Sequence, residues 1–292
     1  MPSTRDIRRR IKSVKNTAQI TKAMQMVAAS KMRRAQQAAL AGRHYAALMN
    51  QVLGNVTFHA GDFTHPLMEK REVKTRGIIV ISTDKGLCGA LNSNLLREAA
   101  KFPKEGTMYV TAGRKAAQFV ARTRRHLAAE FTYKDTPLFG EARAIARFAR
   151  DSFLKGEVDQ VDVLFTKFIS TLTQKPELRP FLPVSEIKPV SVGVPQTAQE
   201  EKLQPGATEF LFEPNAEEVL GALLPHSLNF QIYQMLLESK ASEQSARMVA
   251  MKNATDNAKQ LIKDLTLEYN KMRQASITNE LLEISSAAMA AG

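Results

Sequence analysis

A long antiparallel coiled coil of N- and C-terminal helices around a central, Rossmann-like α/β domain is the fold class this sequence predicts. Three observations carry that reading. No glycine or proline occurs between Pro2 and Gly42, or again between Pro225 and Gly292, gaps of 39 and 66 residues at opposite ends of a 292-residue chain. Glycine and proline are the strongest local helix breakers, so their absence permits helices far longer than the globular average. Apolar residues recur at alternating four- and three-residue spacings along both gaps, the pattern of a coiled-coil seam. Between them, strand-like runs alternate with amphipathic helical runs, the order expected of a mostly parallel sheet with helices packed on it.

The first helix is expected over residues 1–57. Ser3, Thr4 and Asp6 are suitable capping and first-turn residues. From Ile7 the seam runs through Ile11, Val14, Ala18, Thr21, Gln25, Ala28, Met32, Ala35, Ala39, Gly42, Ala46, Met49, Leu53 and Val56, broken only by Thr21, Gln25 and Gly42. Its many alanines permit close approach of a second helix and suit a thin rod.

The α/β domain is expected over 74–213. Residues 76–83 (RGIIVIST) read as a buried strand, followed by a glycine-containing turn and a helix through LNSNLLREAAKF. A second strand over 108–111 precedes a helix over 115–124. A strong amphipathic helix over 138–155 precedes a third strand over 161–169 (VDVLFTKFI). The Gly-, Pro- and Gln-containing stretch 191–208 reads as a loop and 210–212 as a short late strand.

The second helix is expected over 215–290, with Glu217 and Glu218 favourable to the positive end of its dipole and Pro225 a source of a kink. Ala258, Ile262, Leu265, Tyr269 and Met272 keep the four-three spacing, which then shifts to Ile277, Leu281, Ile284 and Ala288. Between lies SEQSARMVAMKNATDNAK, where polar side chains crowd faces that a purely structural coil would fill with leucine. Helices of about 54 and 75 residues leaving a shared base differ by about 20 residues, or ~30 Å at ~1.5 Å per residue. The overhang ends in ITNELLEISSAAMAAG, whose apolar residues have no partner in this chain.

Composition narrows the function. The sequence is 44% hydrophobic and 24% charged, as in a soluble folded protein, with no run approaching the length of a membrane span. The first residues lack the apolar core of a secretory signal. One cysteine, Cys88, rules out an internal disulfide and a cysteine-rich zinc site, and points to a cytoplasmic setting. The formal charge is 41 − 29 = +12. Residues 1–50 hold 11 basic and 1 acidic side chain, so nearly all the excess lies on the first helix, which should face an acidic partner.

Candidate chemical sites are few. The turn STDKGLCGALN (82–92) joins a strand to a helix start, where phosphates bind in other folds. It lacks the Gly-Lys-Ser/Thr of a P-loop, and Gly86 and Gly89 lack dinucleotide-fingerprint spacing, so a structural turn is favoured. His59, Asp62 and His65 sit close together in a loop without a third histidine or helical spacing, which favours a solvated loop over a metal site. His44, His126 and His226 are scattered, and Cys88 reads as a buried, inert thiol. No acid–base pair or nucleophilic triad is evident, so catalysis by this chain alone is not expected. The basic helix has no aromatic residue before Tyr45 and no base-reading motif, so an acidic protein partner is favoured over nucleic acid or membrane.

Three segments then identify a family. IRRRIKSVKNTAQITKAMQMVAASKMRRAQ (7–36), STDKGLCGALN (82–92) and ASEQSARMVAMKNATDNAKQLIKDLTLEYNKMRQASITNELLEI (241–284) resemble the gamma subunit of the F-type ATP synthase. One departure is that the family's C-terminal signature usually has Gly-Ala where this chain has Ala287 and Ala288. The resemblance implies a rotor shaft inside a ring of three alpha and three beta subunits. Its α/β domain would sit against the epsilon subunit and the c-ring, on the cytoplasmic face of the bacterial inner membrane. ATP, ADP and magnesium would bind the partner subunits, with no cofactor on this chain. It also implies that Met24, Arg247, Arg273, Gln274 and Thr278 face or brace the contact with beta. On the basic face, Lys31, Arg33 and Arg34 flank seam residue Met32 and are expected to point outward to the same partner. The competing classes are a coiled-coil scaffold or nucleic-acid-binding adaptor with an α/β module, and an α/β enzyme with helical extensions.

Overall fold

The computed structural model describes residues 3–42, 45, 48–49, 51–54, 56, 65–184, 213 and 215–291. The expectations for His44, Ala46, His59, Asp62, the loop over 191–208 and the strand over 210–212 fall outside them. The described chain runs α1 (Thr4–Ala41), a 3-10 turn (Pro66–Met68), β1 (Arg76–Ile81), α2 (Leu91–Ala100), β2 (Thr107–Ala112), α3 (Arg114–Arg122), β3 (His126–Phe131), α4 (Phe139–Leu154), β4 (Gln160–Phe168), β5 (Gln174–Leu182) and α5 (Ala216–Ala291). These divide into two compact units, residues 1–27 with 248–292, and residues 28–247.

In the larger unit the sheet order is β3-β2-β1-β4-β5, parallel except for the antiparallel β4–β5 hairpin. Successive strand side chains point to opposite faces, and β1 divides its residues accordingly. Ile79 and Ile81 join α4 (Ile145, Ala149, Phe153) and α5 (Leu224, Leu228, Ile232) in one core. Ile78 and Val80 join α2 (Leu95, Ala99) and α3 (Ala116, Val120) in the other. The result is a three-layer α/β/α domain with α5 as part of one layer. Both strands not foreseen from the sequence, β3 (HLAAEF) and β5 (QKPELRPFL), are sheet edges. The first is alanine-rich, and the second carries Pro176 and Pro180, which an edge tolerates and a central strand does not.

The glycine between β2 and α3 is required by geometry. Gly113 has φ 105°, and a Cβ there would lie 2.2 Å from the Ser82 carbonyl oxygen. Its N–H donates to the Phe131 carbonyl and its carbonyl accepts from Ser82 Oγ, so the backbone has no room to withdraw.

The two long helices run antiparallel in the larger unit. Ala35 clusters with Phe168 and Ala241, and four residues later Ala39 clusters with Leu237, four residues earlier on the partner helix. The seam positions are the right ones: Ala28, Ala35 and Ala39 are buried and Met32 is half-buried. The helix α5 runs unbroken through Pro225, from Ala216 to Ala291.

In the smaller unit, Ser3 caps α1: its hydroxyl accepts from the Asp6 N–H and donates to the Asp6 carboxylate. Ile7, Thr21, Ala258 and Leu265 are buried, and Ile11, Val14, Ala18, Ile262, Tyr269 and Met272 are half-buried. The break in the stripe at Thr21 has a partner, since its hydroxyl lies 2.7 Å from that of Thr255. Beyond Met272 no residue through 287 is buried, and Ile277, Leu281 and Ile284 are 43%, 61% and 66% exposed. The expected overhang is present, with its apolar residues uncovered by this chain.

Candidate partner-binding surfaces and the buried polar seam

Chain order reverses between β1 and β4, which are neighbours although β1 leads through α2 to β2 on its other side. In open α/β sheets, ligands bind in the crevice outside the strand carboxyl ends at such a reversal. Here α5 takes up the hydrogen-bonding groups at that place. At the end of β4 the Phe168 N–H donates to Glu238 Oε1 at 3.2 Å, and Ser242 Oγ donates to the Thr166 carbonyl at 3.0 Å. Ser245 Oγ donates to the Thr171 carbonyl at 2.7 Å, in the hairpin loop beyond it. Past β1, Arg247 Nη2 donates to the Gly86 carbonyl at 3.2 Å.

The rest of the 82–92 turn is likewise engaged in the fold. Asp84 Oδ1 accepts from the Arg114 N–H, Thr83 Oγ1 donates to the Lys85 carbonyl, and Asn92 Nδ2 donates to Thr83 Oγ1. This is the structural turn expected from its glycine spacing. Cys88, within it, is buried; burial pushes its thiol up, with Arg247 pulling it partly back, and an un-ionised thiol is a poor nucleophile. His65 Nδ1 accepts from the Leu67 N–H as the cap of the 3-10 turn, which keeps that nitrogen unprotonated. Among the described residues no group of three or more His, Cys, Asp or Glu is placed to hold a metal ion.

The polar run that interrupts the apolar stripe of α5 is therefore no solvated face in its first part. Ser242, Glu243, Gln244 and Ser245 are all buried, as are Glu238 and Lys240 just before them. Buried polar groups need partners, and the β4–β5 hairpin and a chain of charges supply them for Glu238 Oε1, Lys240, Ser242, Glu243 Oε1 and Ser245. Asp135, in the loop between β3 and α4, meets Lys31 of α1 at 2.5 Å and Lys240 of α5 at 3.2 Å, one carboxylate oxygen each. Lys240 Nζ lies 5.3 Å from the Tyr133 ring centroid and makes a 3.0 Å ion pair with Glu243 Oε2, off hydrogen-bond alignment. Glu243 Oε1 in turn accepts from Arg247 Nη1 at 2.7 Å. The Lys31 hydrogen bond, with Lys240 beside it, outweighs partial burial and holds the Asp135 carboxyl at about 2. The Tyr133 hydroxyl, buried and among carboxylates, is pushed well above its usual value and donates to the Ser82 carbonyl at 2.8 Å.

A second cluster lies along the hairpin. Glu177 of β5 pairs with Arg179 at 2.6 Å and with Lys167 of β4 at 2.9 Å. Burial raises the Glu238 carboxyl to about 7, against the opposing pull of Arg179 and the Phe168 N–H.

The residues singled out in the sequence take three kinds of place. Arg33 and Arg34 are exposed on α1, as expected, and Arg34 lines a cleft of about 110 Å³ with Lys31, Asp135 and Leu237. Lys31 and Arg247 are half-buried and engaged within the chain, at opposite ends of the charge series just described. Met24 is half-buried on α1, whereas Arg273, Gln274 and Thr278 are exposed on the overhang, where the Thr278 hydroxyl donates to the Gln274 carbonyl. Asp135, Lys240 and Glu243 were not singled out. The three-residue spacing of Lys240 and Glu243 was visible, but Asp135 lies 104 positions from Lys31 and nothing local marks it.

Comparison with known proteins covers almost the whole chain. A family profile described as ATP synthase matches residues 3–291. The chain is 51% identical to the ATP synthase gamma chain of Opitutus terrae, over 100% of this chain and 99% of that one. It is 48% identical to the ATP synthase gamma chain of Methylacidiphilum infernorum, over 100% of both. Among solved structures it matches a chain of the Tetrahymena thermophila mitochondrial ATP synthase central stalk and c-ring, with TM-score 0.60 and 25% identity over 80% of this chain and 99% of that chain. A chain of the Euglena gracilis mitochondrial ATP synthase shares the fold at 20% identity, with TM-score 0.65 over 98% of this chain and 94% of that chain.

Proposed function

The chain belongs to the ATP synthase family, among its gamma chains, and from that membership we propose that it is the central shaft of a rotary ATP synthase. The observation that carries the reading is the overhang of α5, a bare helix with Ile277, Leu281 and Ile284 uncovered beyond the last buried seam residue. Such a segment needs a surrounding partner. In this reading a ring of three alpha and three beta subunits surrounds it, and epsilon and the c-ring hold the other end of the shaft.

A shaft and its sleeve must bind without locking. The overhang offers separated apolar residues among serine, threonine and alanine, with no aromatic anchor to make a hot spot. One asymmetric shaft cannot match three beta copies alike, so each copy is held in a different state, and turning the shaft passes those states around the ring. Proton flow through the c-ring drives that turning during synthesis. Catalysis, nucleotide and magnesium belong to the partners; on this chain α5 occupies the place where an α/β domain would take a nucleotide. Met24, Arg33 and Arg34 on α1, and Arg273, Gln274 and Thr278 on the overhang, meet beta in turn. Lys31 and Arg247 act from behind, through their ties within the chain. None of the described helices is long and apolar enough to cross a membrane. The chain is then a peripheral subunit on the cytoplasmic face of a bacterial inner membrane, attached through the complex.

Reconstitution tests this. Alpha and beta assembled with membrane-bound partners and this chain should pump protons when ATP is supplied, and should fail to pump when this chain alone is omitted. Equal pumping without the chain, or failure of the chain to co-purify with alpha and beta, refutes the proposal. Co-purification with nucleic acid instead would support the adaptor reading.

A further inference from the structure

We propose that Asp135 is a positioning residue for rotary coupling, the pin through which both long helices are held in register against the α/β domain. The inference rests on the rotor reading and adds to it a residue in neither helix. Among the described residues, the contacts of α1 with the sheet layer include Ala35 against Phe168, an apolar contact. Apolar contact is non-directional and resists sliding poorly. The Lys31–Asp135 pair is different in kind: a charge-assisted hydrogen bond of 2.5 Å, between side chains 40% and 58% exposed, ties one point of α1 to one point of the loop.

The same carboxylate also meets Lys240, whose side chain is only 6% exposed and has no solvent to fall back on. Lys240 leads to Glu243, itself 4% exposed, and Glu243 leads to Arg247 and the Gly86 carbonyl. One surface carboxylate therefore links Lys31 to the rest of a series of charges that ties α1, the β3–α4 loop, α5 and the turn after β1. Neutralising it leaves Lys31, Lys240 and Arg247 with Glu243 as the remaining acid in the series. Lys31, at 40% side-chain exposure, can turn to water and release α1; Lys240 cannot. Torque passing between the helices and the α/β domain would then meet a joint with play in it.

The test uses the assembled, membrane-bound complex with Asp135→Asn, Asp135→Glu and Lys31→Met chains. ATP hydrolysis and ATP-driven proton pumping are measured on the same vesicles, with incorporation of the chain checked in each. Asp135→Asn should keep hydrolysis and lose pumping per ATP hydrolysed. Asp135→Glu, which retains the charge, should restore it. Lys31→Met should show a smaller loss in the same direction, and Lys31→Met with Asp135→Asn should be no worse than Asp135→Asn alone. Hydrogen exchange over residues 28–41 should accelerate in Asp135→Asn and not in Asp135→Glu.

An unchanged ratio of pumping to hydrolysis in Asp135→Asn overturns the proposal while leaving the rotor reading intact. If Asp135→Asn does not incorporate, the decision passes to Asp135→Glu and Lys31→Met. Loss of coupling in an incorporated Asp135→Glu chain, or full coupling in Lys31→Met, then overturns it. Failure of the rotor reading would appear separately, as pumping by wild-type complexes that does not need this chain at all.

Discussion

Replacing Glu238 by glutamine should make the free chain more stable at alkaline pH and leave it nearly unchanged in acid. Glu238 is fully buried on α5, with Arg179 and Glu177 of β5 and Lys167 of β4 facing it. Burial raises its carboxyl from 4.5 to about 7. A group whose folded value is raised binds its proton more tightly in the folded state. Its contribution is therefore complete below the unfolded value and is lost as pH rises through the folded one. The pH window is 4.5 to about 7, and a shift of that size corresponds to roughly 3 kcal/mol lost on the alkaline side. Glutamine keeps an oxygen for the Phe168 N–H and never ionises, so it escapes that loss. The assay is urea unfolding of wild-type and Glu238→Gln chains at about pH 5 and about pH 8, where groups common to both cancel in the difference. The variant should gain about 2–4 kcal/mol over wild type between the two conditions. A stability difference between the two chains that is the same at both pH values would refute the reasoning.

Other consequences are independent of Glu238. Gly113→Ala places a Cβ 2.2 Å from the Ser82 carbonyl at φ 105°, so it should cost at least about 3 kcal/mol or prevent folding; wild-type stability in urea would contradict the geometry. Arg33→Glu with Arg34→Glu, both exposed, should change the stability of the free chain by less than about 1 kcal/mol. In the assembled complex the same pair should weaken coupling, more at low than at moderate salt, measured as pumping per ATP; an unchanged ratio would leave these cations as a solvated face. Lys31→Glu should instead destabilise the free chain, because it sets a second anion against Asp135; an unaltered urea midpoint would contradict that pairing. Backbone amides of residues 277–287 should exchange rapidly in the free chain and become protected on assembly, and strong protection in the free chain would mean that the exposed face has a partner there.

The parts of the fold written in strong, local periodicity were legible in the sequence. The seam from Ile7 through Ala39 follows the buried and half-buried residues of α1 position by position. Strands β1 and β4, continuous apolar runs, fall within one or two residues of where hydrophobicity placed them. What failed to show was whatever depends on a distant partner. The β3 strand, HLAAEF, has no β-branched residue to mark it, and β5 breaks its pattern with two prolines and charges on an open edge. The polar stretch of α5 read as a weakened coil, because Ser242 and Ser245 are explained only by the Thr166 and Thr171 carbonyls that they meet across more than seventy residues. Among the candidate contact residues, Arg33 and Arg34 are outward as the seam requires. Lys31, on the same turn, is instead paired within the chain by a loop carboxylate that no helical pattern reveals.

The most direct test of the central claim is to watch the chain turn. A probe attached to the exposed Arg143 on α4, through Arg143→Cys in a Cys88→Ser background, reports the orientation of the α/β domain in single complexes held by alpha and beta. With ATP present, the probe should rotate continuously and in one direction relative to the alpha–beta ring, and stop when ATP is removed. A probe that keeps a fixed orientation while the same complexes hydrolyse ATP would contradict the shaft.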